Sequence, residues 1–293
     1  MGAPPPLQLG ETVWDWSRPY ILAVVNVTPD SFSDGGLHGS LQAVIDHALG
    51  LLEEGADALD LGAESTRPRA EPVSVDEELA RVMPVIEALR GVSVPISIDT
   101  MKAEVAREAL RAGATIVNDV GMGDTAESLG AVAARAGAAY IAMHSRGTPA
   151  TMTKLTDYRD VAQDVATELG LRVEALVRAG VAPGRVLVDP GIGFAKSARQ
   201  SLALLSNLAP LRALGYPLCV GASRKSFISA PDAYAPAWQV GPSSPRDRVG
   251  GTAAAVTAAV LQGAEVVRVH GVAVMREAAR VAHAIRLGRG EHA

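Results

Sequence analysis

The sequence predicts a single (β/α)8 barrel of the TIM type, and three observations support this fold class. Eight short apolar runs alternate with eight amphipathic or alanine-rich stretches along the 293 residues. The runs are apolar almost throughout, which is typical of parallel strands covered on both faces. Glycine follows several of the helical stretches, as at left-handed helix C-termini. A doubly wound parallel sheet stays open as the alternative, because one sequence does not reveal strand order.

The predicted elements follow one another in strict alternation. Each strand is a run of β-branched or other apolar residues, and each helix begins after a short polar loop. The predicted strands are Tyr20–Val27, Ala58–Gly62, Pro95–Asp99, Thr115–Asn118, Ala139–Met143, Val186–Asp189, Leu218–Gly221 and Val266–Val269. The predicted helices are Leu41–Glu54, Val75–Arg90, Lys102–Ala112, Ser128–Ala136, Asp160–Ala179, Arg199–Leu211, Gly251–Gly263 and Val274–Arg286.

Two segments depart from this alternation. Residues 1–17 have a proline-rich start and are predicted to be a disordered or extended head before a barrel of residues 18–288. Residues 229–245 contain four prolines among Ala, Ser and Gly, and are predicted to be a long loop insertion on the active face. The remainder has no linker composition, so one domain is expected, at a length close to the ~250 residues of such barrels.

Composition excludes several classes of function. The 27 Lys and Arg against 32 Asp and Glu give a net charge of −5, which argues against a broad nucleic-acid surface but permits a local cationic pocket. No stretch is long and apolar enough for a membrane span, and the N-terminus lacks a basic region followed by an apolar run. The single cysteine, Cys219, cannot form an internal disulfide and suggests burial in a strand. A cytoplasmic protein without nucleic-acid or membrane partners is expected.

Polar or ionisable side chains that can bind a ligand or take part in catalysis follow all eight predicted strands. In a barrel these positions converge on the rim at the carboxyl ends of the strands, where such folds carry their chemistry. A polar residue after one or two strands would be an ordinary cap or turn residue, but one after every strand indicates a site. The residues are Asn26, Glu64–Arg67, Asp99, Asn118, His144, Asp189, Ser223–Lys225, Arg268 and His270.

These groups divide into two chemical sets. The acceptor set suits a flat heterocycle with several N–H donors along one edge, because ionised carboxylates accept without donating. The cationic set, together with Asn26 as an oxygen ligand for Mg²⁺, suits a phosphate or diphosphate. The expected ligand is therefore a donor-edged ring joined to a polyphosphate. The acceptor set is Asp99, Asn118 and Asp189, and the cationic set is Arg67, Lys225, Arg268 and His270.

Simpler explanations exist for single members of these sets. Asp99 precedes a predicted helix and is also placed for a helix N-cap. Asp189 begins an Asp-Pro-Gly sequence that is typical of a turn. Arg67 and Arg268 are also compatible with solvated surface positions. A further segment, Gly193–Ser197, is similar to a phosphate-binding loop but lacks its first glycine.

With these residues identified, the chain resembles the dihydropteroate synthases of folate biosynthesis from about Arg18 to Arg286. Together and in this order, the matching blocks are highly specific. They are Asn26–Gly36 (NVTPDSFSDGG), Asp60–Pro68 (DLGAESTRP), Ser97–Thr100 (SIDT), Val117–Asp119 (VND), Met143–His144, Asp189–Phe194 (DPGIGF), Ser223–Lys225 (SRK) and Arg268–His270 (RVH).

The resemblance implies a reaction and a set of roles. The family condenses 6-hydroxymethyl-7,8-dihydropterin diphosphate with p-aminobenzoate, giving 7,8-dihydropteroate and pyrophosphate with Mg²⁺, and is the target of sulfonamides. It is commonly dimeric, so a homodimer is expected. By similarity, the pterin is held by Asp99, Asn118, Asp189 and Lys225 with Met143 packed nearby, Mg²⁺ by Asn26, and the diphosphate by Thr66, Arg67, Arg268 and His270. The p-aminobenzoate site is implied to be lined by Pro68, Phe194, Ser223 and Lys225, and the implied catalytic residues are Asp34, Arg67, Lys225, Arg268 and His270.

Three positions depart from the family pattern. Arg69 and Ala195 stand where the family usually has glycine, and Gly271 replaces the usual Asp after Arg-Val-His. Arg69 adds bulk and charge near the implied p-aminobenzoate entrance. None of the three removes a group from either chemical set.

Three other functions compete with the synthase. A pterin-binding methyltransferase that passes a folate methyl group to a corrinoid would keep the acceptor set but would not need a diphosphate grip. An aldolase-like barrel with Lys225 as a Schiff base would desolvate that lysine among apolar neighbours. A catalytically silent pterin-binding protein would have lost motif residues in the first loop, whereas residues 26–36 keep the whole family motif.

Overall fold

A computed structural model describes residues 4–27, 36–65, 72–121, 125–230 and 243–290, with backbone alone at residues 36–40 and 289–290. Its strands are β1 (Leu7–Leu9), β2 (Thr12–Trp14), β3 (Tyr20–Asn26), β4 (Ala58–Gly62), β5 (Ile96–Asp99), β6 (Ile116–Asp119), β7 (Ala139–Met143), β8 (Val186–Asp189), β9 (Cys219–Val220) and β10 (Val266–Val269). Its helices are α1 (Gly36–Glu53), α2 (Val75–Ala88), α3 (Ala103–Ala112), α4 (Thr125–Ala136), α5 (Val161–Arg178), α6 (Ala198–Ser206), α7 (Ala209–Arg212), α8 (Val249–Leu261) and α9 (Val272–Gly290).

The strands β3 to β10 form a closed parallel barrel. They are hydrogen-bonded in the order β8-β7-β6-β5-β4-β3-β10-β9. A parallel bridge between Val188 and Leu218 joins the two ends of this order, and the Val188 amide donates to the Pro217 carbonyl at 3.0 Å. The predicted barrel is therefore confirmed, and the doubly wound sheet is excluded.

Alternate residues of the strands supply two separate apolar cores, as the period-2 geometry of a strand requires. One core lies inside the barrel and includes Leu22, Ile116 and Leu187. The other lies between the barrel and its helices and includes Ile21 and Val117. This arrangement explains why the strands are apolar along their length, and Cys219 is buried in the inner core as expected.

The N-terminal head was predicted to be disordered or extended, and the structure has residues 7–14 in the extended form, as two short strands. β1 and β2 pair as an antiparallel hairpin. Leu7, Leu9 and Trp14 are buried and join the inner core, and the Trp14 ring stacks on Tyr20 at the start of β3. The hairpin therefore closes the amino-terminal end of the barrel, opposite the rim. Trp16 extends the anchor by donating from its indole nitrogen to the Pro5 carbonyl at 2.7 Å.

One further prediction differs from the structure, and another is mostly not tested by it. The predicted helix Arg199–Leu211 is divided into α6 and α7, because the chain leaves helical conformation at Asn207, whose φ is −143°. Most of the predicted insertion at 229–245 lies outside the described residues. Among the described helices, none has the length and apolar character needed to cross a membrane.

Candidate active site

The rim brings together polar side chains from strands that are distant in sequence. Arg268 on β10 donates from Nε to Asp60 Oδ2 at 2.6 Å and from Nη2 to Asp99 Oδ2 at 2.6 Å. Asn118 on β6 donates from Nδ2 to the same Asp60 oxygen at 2.9 Å. Two members of the acceptor set and one of the cationic set thus belong to one buried network.

Asp60 is the member of this network that the sequence prediction missed. It lies inside the apolar run Ala58–Gly62 rather than after it, so the search for polar residues at strand ends passed over it. Its side chain is fully buried, and its Oδ1 has no hydrogen-bond partner within the described residues. A carboxylate within an otherwise apolar strand was the available signal, because a buried charge needs a partner.

Burial and charge act in opposite directions on the groups of this network. Burial lowers the pKa of Arg268, but Asp60 and Asp99 more than offset it, so the net shift is upward and the guanidinium stays charged. Burial raises the pKa of Asp99. The positive charge of Arg268 opposes this rise, and the negative charge of Asp60 adds to it. Arg268, which the resemblance assigns to the diphosphate, is here engaged by two carboxylates. An anion that binds Arg268 must compete with them.

Asp189 and Lys225 face each other across the neighbouring part of the rim. Asp189 Oδ1 accepts from the Gly191 amide at 2.7 Å, and burial raises its pKa while Lys225 opposes the rise. Lys225 donates from Nζ to the Ile192 carbonyl at 2.5 Å and lies over the Phe194 ring, 4.5 Å from its centroid. Burial lowers the pKa of Lys225 to about 8, against the opposing charge of Asp189.

Ser223 and His270 form a hydrogen-bonded pair that was not evident in the sequence. His270 Nδ1 lies 3.0 Å from Ser223 Oγ, and the His270 amide donates to the same oxygen at 3.3 Å. The two residues lie 47 positions apart and meet because β10 is beside β9. The residue between Ser223 and Lys225, Arg224, has a φ of 58°, an unfavourable conformation that its surroundings impose.

The remaining described members of the predicted site lie at the same end of the barrel. Met143 is buried at the end of β7. Asn26 is exposed at the end of β3, in register with Gly62 of β4. His144, which also follows a strand, is buried and contacts Lys196 and Glu168. Four further predicted site residues lie outside the described residues: Asp34, Thr66, Arg67 and Pro68.

Of the three departures from the family pattern, Ala195 has a visible structural consequence. Its φ is 48°, in the left-handed region where glycine is the usual residue because a Cβ atom is strained there. Ala195 is nevertheless held in place, since its carbonyl accepts from the Tyr158 hydroxyl at 3.0 Å. Gly271 follows His270 at the start of α9, and Arg69 lies outside the described residues.

The described residues suit a metal ion that the protein shares with its substrate. No group of three His, Cys, Asp or Glu side chains within the described parts of the chain could hold a metal alone. Asn26 is exposed at the end of β3, and its side chain contains an amide oxygen, a type of ligand that Mg²⁺ accepts. Mg²⁺ commonly binds through one or two protein oxygens, substrate phosphates and water, so this donor set fits it.

Comparisons with known proteins agree over nearly the whole chain. A family model described as pterin binding enzyme matches residues 22–270. The chain is 46% identical over 288 residues to a dihydropteroate synthase of Synechocystis, with 96% of each chain covered. The fold matches a dihydropteroate synthase of Xanthomonas albilineans solved with 4-aminobenzoic acid, at a TM-score of 0.85, 39% identity and coverage of 97% of this chain and 99% of that one. A structure of the Xanthomonas albilineans enzyme with 7,8-dihydropteroate matches at a TM-score of 0.81 and 37% identity, covering 96% of this chain and 99% of that one.

Proposed function

The chain belongs to the pterin-binding enzyme family, and on that premise we propose that it catalyses the dihydropteroate synthase reaction. It condenses 6-hydroxymethyl-7,8-dihydropterin diphosphate with p-aminobenzoate to give 7,8-dihydropteroate and pyrophosphate. The observation that carries this proposal is the meeting of acceptors and cations at one rim, in a chain 46% identical to a dihydropteroate synthase across 96% of its length.

The acceptor set binds the pterin ring. Asp189, Asn118 and Asp99 present oxygens to the N–H groups along the ring edge, and Met143 packs nearby. Arg268 neutralises Asp60 and Asp99 before the substrate binds. When the ring satisfies Asp99, the guanidinium can turn toward the diphosphate. This exchange of partners couples recognition of the ring to recognition of the leaving group.

The reaction follows from the charge that develops at the rim. The C–O bond between the methylene carbon and the diphosphate breaks with both electrons on oxygen, leaving a pterin-methyl cation delocalised into the ring. Arg268 and His270 stabilise the departing anion where its charge develops, which is the principal electrostatic contribution available to the protein. Mg²⁺, when bound through Asn26 and the diphosphate, supplies further neutralisation of the leaving group.

Attack on the cation requires an oriented amine and little activation. The nitrogen lone pair of p-aminobenzoate forms the new C–N bond to the methylene carbon, and the released proton passes to water. Phe194, Ser223 and Lys225 form the described wall of the arylamine site. The Ser223–His270 hydrogen bond orients these two side chains. The pair does not need to activate the amine, because a neutral arylamine is already a nucleophile near pH 7. Asp34, Thr66, Arg67 and Pro68 keep the roles that the resemblance implies.

A mass-spectrometric assay tests the proposal. The protein is incubated with the pterin diphosphate, p-aminobenzoate and Mg²⁺, and dihydropteroate is measured; the matched control is the pterin alcohol, which lacks the leaving group. We expect dihydropteroate in the reaction with the pterin diphosphate and none in the reaction with the pterin alcohol. Absence of product with pterin binding intact would contradict the synthase, and methyl transfer from a methylfolate to a corrinoid would favour the competing methyltransferase.

The Schiff-base alternative has one structural point in its favour. Lys225 is desolvated, which lowers its pKa to about 8, as a carbonyl-binding lysine requires. Its Nζ, however, also faces the Asp189 carboxylate and donates to the Ile192 carbonyl, so its surroundings are not apolar alone. Borohydride treatment with a carbonyl substrate is therefore expected to leave Lys225 unmodified.

The pH dependence of the reaction is expected to report Lys225. Because the ammonium donates to the turn at Ile192 and faces Asp189, the protonated lysine is the competent form. The value of kcat/KM for the pterin diphosphate is expected to fall as pH rises through about 8, the pKa of Lys225. In Lys225→Arg this alkaline limb should disappear, whatever activity remains. An unchanged limb in that variant would contradict the assignment.

Asp60 is expected to contribute to kcat/KM for the pterin diphosphate although it is not assigned a contact with the pterin ring. In Asp60→Asn the amide oxygen can still accept from Asn118 and Arg268 but carries no negative charge, a loss of about 1.5–3 kcal/mol for a charged hydrogen bond. We expect kcat/KM for the pterin diphosphate to fall by roughly 10- to 100-fold. Ser97→Ala is the matched control, since Ser97 lies beside Asp60 in register and its buried hydroxyl has no partner within the described residues. Equal rates in both variants would refute the role of Asp60.

We also propose that the protein is a cytoplasmic homodimer. The family resemblance implies the dimer, and α9 presents exposed apolar side chains along its length. These side chains are Val274, Val281, Ile285 and Leu287. The single buried cysteine suits a reducing compartment.

A further inference from the structure

Lys196 is a buried lysine in the segment after β8, and none of the roles above uses it. Its Nζ lies 2.9 Å from His144 Nδ1, 3.1 Å from the Gly191 carbonyl oxygen and 3.0 Å from the Phe194 carbonyl oxygen. An ammonium group has three N–H donors and no acceptor. The three neighbours therefore match its full donor capacity, and the side chain is directed into the protein rather than toward solvent.

The tautomer of His144 makes it an acceptor for this lysine. Burial lowers the pKa of His144 to about 4, so its ring is neutral near pH 7. Its Nε2 lies 2.9 Å from Glu168 Oε2, a carboxylate that also accepts from Arg146 Nε at 3.0 Å. A carboxylate requires a donor, so the ring proton is on Nε2 and the Nδ1 lone pair faces Lys196. Burial lowers the pKa of Lys196 to about 7, and the amine left after proton loss still donates to two of its acceptors.

Side chains hold most of the carbonyl groups in the turn Gly191–Ala195, which we call the phenylalanine turn. Lys196 binds the carbonyls of Gly191 and Phe194, and Tyr158 binds that of Ala195. Lys225 binds the carbonyl of Ile192 from the opposite side. These contacts maintain a turn that contains a strained residue, since Ala195 has a φ of 48°, in the region that favours glycine.

The phenylalanine turn connects the two substrate sites. Its Gly191 amide donates to Asp189, and its Phe194 ring lies against Lys225. Asp189 is also held by its place in β8, whereas Phe194 depends on the conformation of the turn alone. Removal of the Lys196 amino group would therefore displace the Phe194 ring more than the Asp189 carboxylate.

We propose that Lys196 is a positioning residue that sets the phenylalanine turn, and through it the affinity for the arylamine substrate. The inference rests on the proposed synthase function. It also explains the similarity of Gly193–Ser197 to a phosphate-binding loop. The lysine of that segment binds protein carbonyls instead of phosphate.

Steady-state kinetics of Lys196→Met test this role. We expect KM for p-aminobenzoate to rise about tenfold while KM for the pterin diphosphate changes less than about threefold, because the variant removes uniform binding of one substrate. Lys154→Met is the matched control, since Lys154 is exposed and far along the chain from the turn. It should leave both constants unchanged.

A second variant keeps the proposal testable if Lys196→Met fails to fold. Lys196→Gln retains two N–H donors and is expected to raise KM for p-aminobenzoate by a smaller factor, with the same sparing of the pterin constant. Equal increases in both constants, or no change in either, would overturn the positioning role. Absence of dihydropteroate with the unchanged protein contradicts the proposed function instead, so the two failures are distinguishable.

Discussion

Asp189→Asn is expected to lower kcat/KM for the pterin diphosphate by roughly 10²- to 10⁴-fold. The Gly191 amide occupies Asp189 Oδ1, so the remaining carboxylate oxygen is the one available to the ring. In the asparagine variant that position carries an NH2 group, which is a donor and cannot accept from the N–H groups of the ring. Losing two charge-assisted hydrogen bonds at about 1.5–3 kcal/mol each gives the stated range.

The effect of Asp189→Asn should appear as lost pterin binding rather than as unfolding. Equilibrium binding of the pterin measures it, with a thermal unfolding scan alongside. Asp46→Asn is the matched control, because Asp46 is an exposed aspartate on α1 that accepts from Gln42 in the same helix. Pterin affinity equal to that of the unchanged protein would contradict the placement of the ring against Asp189.

Arg268→Ala is expected to lose both turnover and stability. The variant leaves Asp60 and Asp99 buried without their shared counter-charge, and breaking a buried ion pair in this way costs about 3–5 kcal/mol. We expect a decrease in Tm of roughly 6–20 °C, from ~2–4 °C per kcal/mol for a protein of this size. Turnover should fall by about 10²- to 10³-fold, because the developing diphosphate charge loses a donor.

The pH dependence of that destabilisation identifies its cause. A carboxylate whose pKa is raised by burial destabilises the fold above its folded pKa, and this cost disappears as pH falls to the unfolded value. The Tm difference between Arg268→Ala and the unchanged protein should therefore shrink as the solution is acidified. Arg268→Lys should recover part of the stability but little turnover, since lysine lacks the forked geometry. A Tm difference that is independent of pH would rule out unpaired carboxylates as the cause.

Local patterns were sufficient to predict the barrel. Runs such as Val186–Asp189 are apolar because both faces of each strand are buried, and the structure reproduces several of them without change. The hairpin of residues 7–14 was missed because each of its strands has only three residues beside a proline-rich start. The break at Asn207 had a sequence signal in Pro210, which lies in the first turn of α7, where proline is tolerated, but the predicted helix ran across it.

The rim was predictable in outline but not in its pairing. Asp99, Asn118 and Asp189 each follow an apolar run, so their position was visible in the sequence. The contact that organises them joins Arg268 to Asp60, which lies 208 residues away. No local pattern encodes such a pair, since it arises only when β10 closes against β3 beside β4.

The central claim is tested most directly by measuring both products of one reaction. The unchanged protein, supplied with the pterin diphosphate, p-aminobenzoate and Mg²⁺, should release pyrophosphate and form dihydropteroate in equal amounts, as C–O cleavage followed by arylamine capture requires. Pyrophosphate without dihydropteroate would mean that water captures the cation, and absence of both products would contradict the synthase function.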